Sequence, residues 1–235
     1  MKLESVGLIL SLRPFGERDL IAHIFTREHG VLCGMMRGGA IAKKNRPMVG
    51  QCGNASWNAR LDSNLGVFHF ESSRNLAAPL MSDSDALAYM NSAFALLCAL
   101  LPERERYPEL YDATNRLFAE NVPPPGGEGT YLDWEICLLR ELGYALDLSR
   151  CSNCGRMDNL TQLSSRTGRA ACSECAAPYL NQCFPLPLSL DVTGFFLNKI
   201  AAEQGGRELP SARKMIDKRQ IMCRCAGTQS DESRP

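Results

Sequence analysis

Four cysteines stand in two matched pairs, CSNC from Cys151 to Cys154 and CSEC from Cys172 to Cys175, with 17 residues between the pairs. Two residues between cysteines let both thiolates face one point about 2.3 Å away, with backbone N–H groups turned toward sulfur. Two such pairs at this separation fit a four-cysteine zinc site. Gly155 allows the tight turn after the first pair, and Thr167–Arg169 (TGR) can close a hairpin between the pairs. Four thiolates leave no open position on the metal, so the expected role is structural. Three other readings stay open on spacing alone. They are a thioredoxin-like redox pair, for which no βαβ unit is evident, a set of disulfides, and a site that has lost its metal.

The remaining cysteines say less. Cys33, Cys52, Cys98 and Cys137 sit in apolar runs and read as small core residues. Cys183 follows the paired cluster but breaks its spacing, and Cys223 and Cys225 lie near the C-terminus.

A second constellation is cationic. The segment RGGAIAKKNR gathers Arg37, Lys43, Lys44 and Arg46 between two predicted strands. Gly38 and Gly39 let the backbone follow a ligand. Arg60 adds a cation downstream, and Trp57 offers an aromatic face. Cations that track phosphates beside aromatics that stack bases are the chemistry of single-stranded nucleic-acid binding. Trp57 and Phe68 fit a core equally well.

The elements that must position these groups fall into two kinds. Residues 1–80 read as five short strands with Gly-containing turns: SVGLILSLR, LIAHIFT, VLCGMM, CGNASWNARL and LGVFHFESSRNL, with DSNLG as a turn between the last two. In LIAHIF, Ile21, His23 and Phe25 alternate with Leu20, Ala22 and Ile24. Five strands in this length fit a small closed barrel, of the OB or the SH3-like kind. From about Ser82 the period becomes helical. One helix opens on Ser and Asp and stops at Pro102, and a second ends at the PPPGGEG run, Pro123 to Gly129. A third, TYLDWEICLLRELGYALDL, places Leu132, Ile136, Leu139, Gly143 and Leu146 on one face, and Trp134, Leu138 and Leu142 widen the stripe so that more than one side is expected to be buried. Two more follow, in LSLDVTGFFLNKIAAEQ and PSARKMIDKRQIMCRC, and residues 226–235 read as a disordered tail. The expected class is α+β and multi-domain. It comprises a barrel over 1–80, an all-helical domain over 81–225, and a zinc-finger-like insertion at about 151–175.

Charge follows the same division. Ten cations face six anions in residues 1–80, five face 12 in residues 81–150, and 11 face eight in the remainder, although the whole chain is neutral. The longest apolar stretch, Ala93 to Leu101, has nine residues, about half a membrane span. The N-terminus lacks the pattern of a signal peptide. No nucleophile elbow, metalloprotease motif or phosphate loop occurs, and the histidines (His23, His29, His69) have no acid–base partner in the motifs. An enzyme is not expected.

The text GLILSLRPFGERDLIAHIFTREHGVLCGMMRGG, the loop AKKNR, the later WNARLDSNLG and the paired cysteines together resemble the RecO family of bacterial recombination mediators, from about Leu3 to Lys218. The resemblance implies an N-terminal OB-fold and a helical domain carrying zinc. It implies binding of single- and double-stranded DNA and annealing of strands. It further implies partnership with RecR to load RecA onto strands coated by the single-strand-binding protein SSB, whose tail the helical domain receives near a local basic spot such as Arg116 or Arg140. It places the protein in the bacterial cytoplasm at the nucleoid, with no nucleotide hydrolysis. Carried over, the DNA-binding residues are Arg37, Lys43, Lys44, Arg46, Trp57 and Arg60, and the zinc ligands are Cys151, Cys154, Cys172 and Cys175. Ala40, Ile41 and Ala42 interrupt a loop that is a continuous basic run in other members. A protein-binding zinc adaptor with an incidental basic loop is the rival reading.

Overall fold

The computed structural model describes residues 1–59, 65–118 and 128–217. Five strands open the chain: β1 (Lys2–Phe15), β2 (Asp19–Thr26), β3 (Gly30–Met36), β4 (Gln51–Asn58) and β5 (Gly66–Asn75). They close a barrel in the order β1-β2-β3-β5-β4. β1 is long enough to pair with β4 through Lys2 to Leu8 and with β2 through Gly7 to Phe15, and a bulge between Ile9 and Ser11 bends it. β3 runs parallel to β5 at Gly34–Gly66, and that pairing shuts the barrel. The alternation seen in the sequence decides the inward face. Leu20, Ala22 and Ile24 join Ile9, Leu32, Met36, Ala55, Trp57 and Phe68 in the core.

Phe25 breaks the alternation and is fully buried. The reason is a neighbour on the outer side: its ring meets Tyr111 edge-on at 5.3 Å between centroids. Tyr111 belongs to α2 (Pro108–Leu117), which follows α1 (Ser84–Leu100). Asp83 caps α1 by accepting from the Asp85 and Ala86 amides, and Pro102 follows its end, as the sequence predicts. Contacts of this kind group the first two helices with the barrel. The chain divides into Met1–Gly126 together with Leu209–Pro235, and Gly127–Glu208.

Arg27, in the β2–β3 turn, holds α2 by a two-pronged ion pair, with Nε 3.0 Å from Asp112 Oδ1 and an Nη 3.0 Å from Oδ2. This hydrogen bonding keeps the Asp112 carboxyl below its ordinary range. A lowered carboxylate pKa stabilises the fold above the unfolded value, about 3.9, and the benefit is lost as pH falls below it. Asp112→Asn should therefore lower the urea midpoint slightly at pH 7. The gap to wild type should narrow steadily as the protein is titrated below pH 4, and a gap that widens there contradicts the ion pair. The effect is small because both groups are solvent-exposed.

The second unit is not all-helical, which corrects the expectation. Between α3 (Glu128–Glu141) and α5 (Leu190–Glu203) lie β6 (Leu160–Ser164), β7 (Ala170–Cys172), the one-turn α4 (Ser173–Ala176) and β8 (Cys183–Pro185). The strands form a three-stranded sheet in the order β7-β6-β8. They are too short for periodicity to reveal them. The buried face of α3 follows the widened part of the expected stripe. Tyr131, Trp134, Glu135, Leu138 and Leu139 are buried, whereas Leu132 and Ile136 are half-buried and Gly143 is exposed. The helix stops early because Gly143 adopts φ +85°, a left-handed conformation that glycine tolerates and that ends helices. Buried Glu135 accepts a hydrogen bond from the Thr193 hydroxyl of α5, so a polar residue can sit inside the stripe.

Residues 211–217 are helical. The expected tail at 226–235, Cys223, Cys225, most of the PPPGGEG run and Arg60 lie outside the described residues. Among the described residues, no helix is long and apolar enough to cross a membrane.

Candidate functional site

The four paired cysteines converge. Their sulfur atoms all lie within 4.8 Å of one another, and Cys154 Sγ stands 3.8 Å from Cys172 Sγ. Sulfurs bound to one zinc at 2.3 Å are separated by about 3.8 Å along a tetrahedron edge, whereas a disulfide requires about 2.05 Å. The spacing therefore fits four ligands around a metal and does not fit paired half-cystines.

Local structure explains the convergence. The first pair occupies a turn in which the Gly155 amide donates to the Cys151 carbonyl at 2.9 Å. Gly155 takes φ +76°, a conformation costly for any residue with a Cβ. The second pair spans the end of β7 and α4, so that Cys172 precedes the helical turn carrying Cys175. The expected hairpin lies between them: β6 and β7 are antiparallel and Gly168 sits in their turn. Hydrogen bonds from Ser152 N to Ala170 O (2.9 Å) and from Ala170 N to Asp147 O (2.8 Å) fasten the first turn to β7.

The packing around the sulfurs is thin. Its buried members are Cys151, Cys172, Ala171 and Ala176, with Leu160 and Cys175 against them. So little apolar surface holds the two cysteine-bearing turns only weakly, and a metal is the kind of staple that could take its place. Backbone amides, first that of Cys154 and then that of Cys172, favour the thiolate of Cys151 and hold its pKa down to about 6. Hydrogen bonding with the Cys172 and Cys154 thiols pushes Cys175 up to about 12. A dication bound at the centre would favour the thiolate at all four positions. Cys183 opens β8 and is not one of the four.

The cationic segment leaves β3 at Met36 and reaches β4 through residues 37–50, with Arg37, Lys43, Lys44 and Arg46 all exposed. It is less slack than its glycines suggest. The Gly38 amide donates to Asp19 Oδ1 at 2.7 Å, and the Ala40 amide to the Arg18 carbonyl at 3.0 Å. Asn45 adopts φ 55°, which asparagine tolerates better than most residues, and this turns the chain between Lys44 and Arg46. Ile41 and Met48 are about half-exposed beside these cations. The result is a pinned, positively charged rim at one end of the barrel, suited to a polyanion.

Trp57 does not belong to it. The indole is 1% exposed in the barrel core, and its Nε1–H donates to the Cys33 carbonyl at 2.9 Å. The Arg104 guanidinium covers the ring, 4.8 Å from its centroid. No face remains for a base, because an inward register position on β4 outweighs the aromatic's value as a platform. Trp57→Phe should cost about 1–3 kcal/mol of stability through the lost hydrogen bond and a small cavity. It should leave DNA affinity unchanged in a fluorescence titration, and a large affinity loss without destabilisation contradicts this placement.

Sequence reasoning missed Arg18. It is exposed in the β1–β2 turn, and its carbonyl anchors Ala40. The signal was available, because the antiparallel register that pairs Phe15 with Asp19 and Leu20 with Met36 brings that turn beside the start of the loop. Of the two cations considered for a tail-receiving spot, Arg116 is exposed in the last turn of α2 and Arg140 pairs with Glu141 at 3.5 Å.

Comparison with known proteins now gives these features a context. Residues 1–74 match the family model for Recombination protein O N terminal, and residues 81–232 that for Recombination protein O C terminal. The chain is 38% identical over 229 residues to the DNA repair protein RecO of Dinoroseobacter shibae, covering 90% of this chain and 95% of that one. The RecO proteins of Paracoccus denitrificans (37% identity, 92% and 95% covered) and of a Ruegeria species (36%, 88% and 93%) are similar along the same span. With both parts matched and relatives alike over nearly their whole length, the chain belongs to the RecO family of DNA repair proteins.

Proposed function

We propose that the protein is a non-enzymatic mediator of recombinational repair that holds single- and double-stranded DNA against the rim of an OB-type barrel. The observation that carries this reading is the pinned loop with four exposed cations on a closed five-stranded barrel, in a chain of the RecO family. Barrels of this type hold nucleic acid with their connecting loops. Arg37, Lys43, Lys44 and Arg46 contact phosphates, Arg18 extends the path, and Arg60 contributes from the β4–β5 connection. Ile41 and Met48 offer apolar contact to bases. Phosphate contact of this kind is indifferent to sequence, which suits strand annealing.

In the same reading Cys151, Cys154, Cys172 and Cys175 bind zinc, whose contribution is to hold the two turns and the small sheet together. The second unit engages protein partners: RecR, and the tail of SSB on the coated strands where RecA is to be loaded. The setting is the bacterial cytoplasm, at the nucleoid. Titrating labelled single-stranded DNA with the full chain at two salt concentrations tests the central claim. Affinity that falls steeply with salt supports it. Binding that is absent, while partner proteins are still captured after nuclease treatment, favours a zinc-containing adaptor.

A further inference from the structure

The outer wall of the barrel carries a row of polar side chains that the reading above does not use. Ser11 pairs with His23 across β1 and β2, and His23 pairs with Cys33 across β2 and β3. Their neighbours Ala22, Ile24 and Leu32 point into the core, so all three row members share the outer face. Directly opposed residues on one face have Cβ atoms about 5 Å apart, close enough for a common ligand.

The segment linking α1 to α2 is clamped onto this row. Val31 bridges to Glu103, and the Arg104 amide donates to the Val31 carbonyl at 2.9 Å. Gly30 lies so close that a Cβ there would sit 1.7 Å from the Glu105 carbonyl oxygen. Arg104 takes a left-handed φ of 66°, an unusual conformation that these contacts hold in place. Glu103 is therefore delivered by fixed backbone, although its side chain is exposed. The ligand atoms of His23, Cys33 and Glu103 all lie within 4.8 Å of one another.

We propose that His23, Cys33 and Glu103 form a second metal site, separate from the four-cysteine group, that takes a borderline divalent transition ion of the zinc class. Imidazole, thiolate and carboxylate together suit zinc or cobalt and disfavour magnesium and calcium, which require oxygen ligands. Ser11 Oγ lies 2.9 Å from His23 Nδ1. With Nδ1–H donating to that hydroxyl, Nε2 is the nitrogen left to ligate an ion, the usual outer support of a ligating histidine. One thiolate and one carboxylate match a dication in charge, and Arg13, whose charge reaches both His23 and Cys33, is the opposing cation. A cavity of about 480 Å³, lined in part by Ser11, Arg13, Asn91 and Cys98, borders His23 alone of the three ligands. Three protein ligands leave the fourth position to water or a small anion. A metal here ties the α1–α2 connection to β2 and β3.

The test is a cobalt(II) titration of the full chain after its four-cysteine site has been filled with one equivalent of zinc. One further equivalent of cobalt should bind, with a sulfur-to-cobalt absorption band. Cys33→Ser should abolish the band. His23→Ala and Glu103→Gln should each weaken binding by at least about tenfold, and Cys98→Ser should leave it intact. Glu103 is exposed, so its glutamine variant keeps the fold and isolates the ligand effect. The proposal is overturned by no second equivalent at about millimolar cobalt, by a band that survives Cys33→Ser, or by an affinity unchanged in Glu103→Gln.

Discussion

The four-cysteine group should carry about one tightly held zinc per chain, and Cys172→Ser should reduce that equivalent to less than about a tenth. The expected loss is large because the metal outweighs the local packing. Structural zinc is worth roughly 10–16 kcal/mol of apparent binding at pH 7. The cluster it replaces contains little beyond two alanines and a half-buried leucine. Hydrogen exchange should localise the damage: β6, β7 and β8 lose protection in the variant, and a strong chelator reproduces this in wild type. The barrel strands, whose core is independent of the sulfurs, should keep theirs. A chain purified without metal, whose Cys151 and Cys154 oxidise reversibly, would instead fit a redox pair.

The second large effect is on DNA. Each phosphate neutralised on a single strand contributes about −0.7 to the slope of log affinity against log salt. The four loop cations alone give about −2.8, so raising salt from roughly 50 to 200 mM should weaken binding by at least about 50-fold. Replacing Arg37, Lys43, Lys44 and Arg46 together with alanine should remove most of that slope and weaken low-salt binding by at least about tenfold, similarly on unrelated sequences. Stability should change little, because all four side chains are exposed. An unchanged slope in a folded variant would move the interface elsewhere on the molecule. Arg18→Ala alone should remove about one contact, near 0.7 of slope.

Much of this was legible in the sequence, for physical reasons that differ by element. Strands β1 to β5 were readable because one face of each is buried, which imposes a period of two on the text. The convergence of the four cysteines was readable because each C-x-x-C pair is a local turn, set by its own spacing. Trp57 was misjudged because its value depends on which face of β4 it occupies, and only the register with β1 and β5 settles that. Within the α3 stripe Glu135 was misread, because it looks polar in the sequence while its partner Thr193 lies 58 residues away. The His23–Cys33–Glu103 cluster left no textual trace, since its members come from two strands and a helix connection. Long-range pairing brings them together.

The discontinuous first unit has a consequence for synthesis on the ribosome. Its chain is interrupted after Gly126 and resumes at Leu209. At roughly 5–20 residues per second, the nascent barrel waits on the order of 5 to 20 seconds for its final segment. During that interval the portion carrying the four paired cysteines emerges complete, and it can mature before the unit that began first.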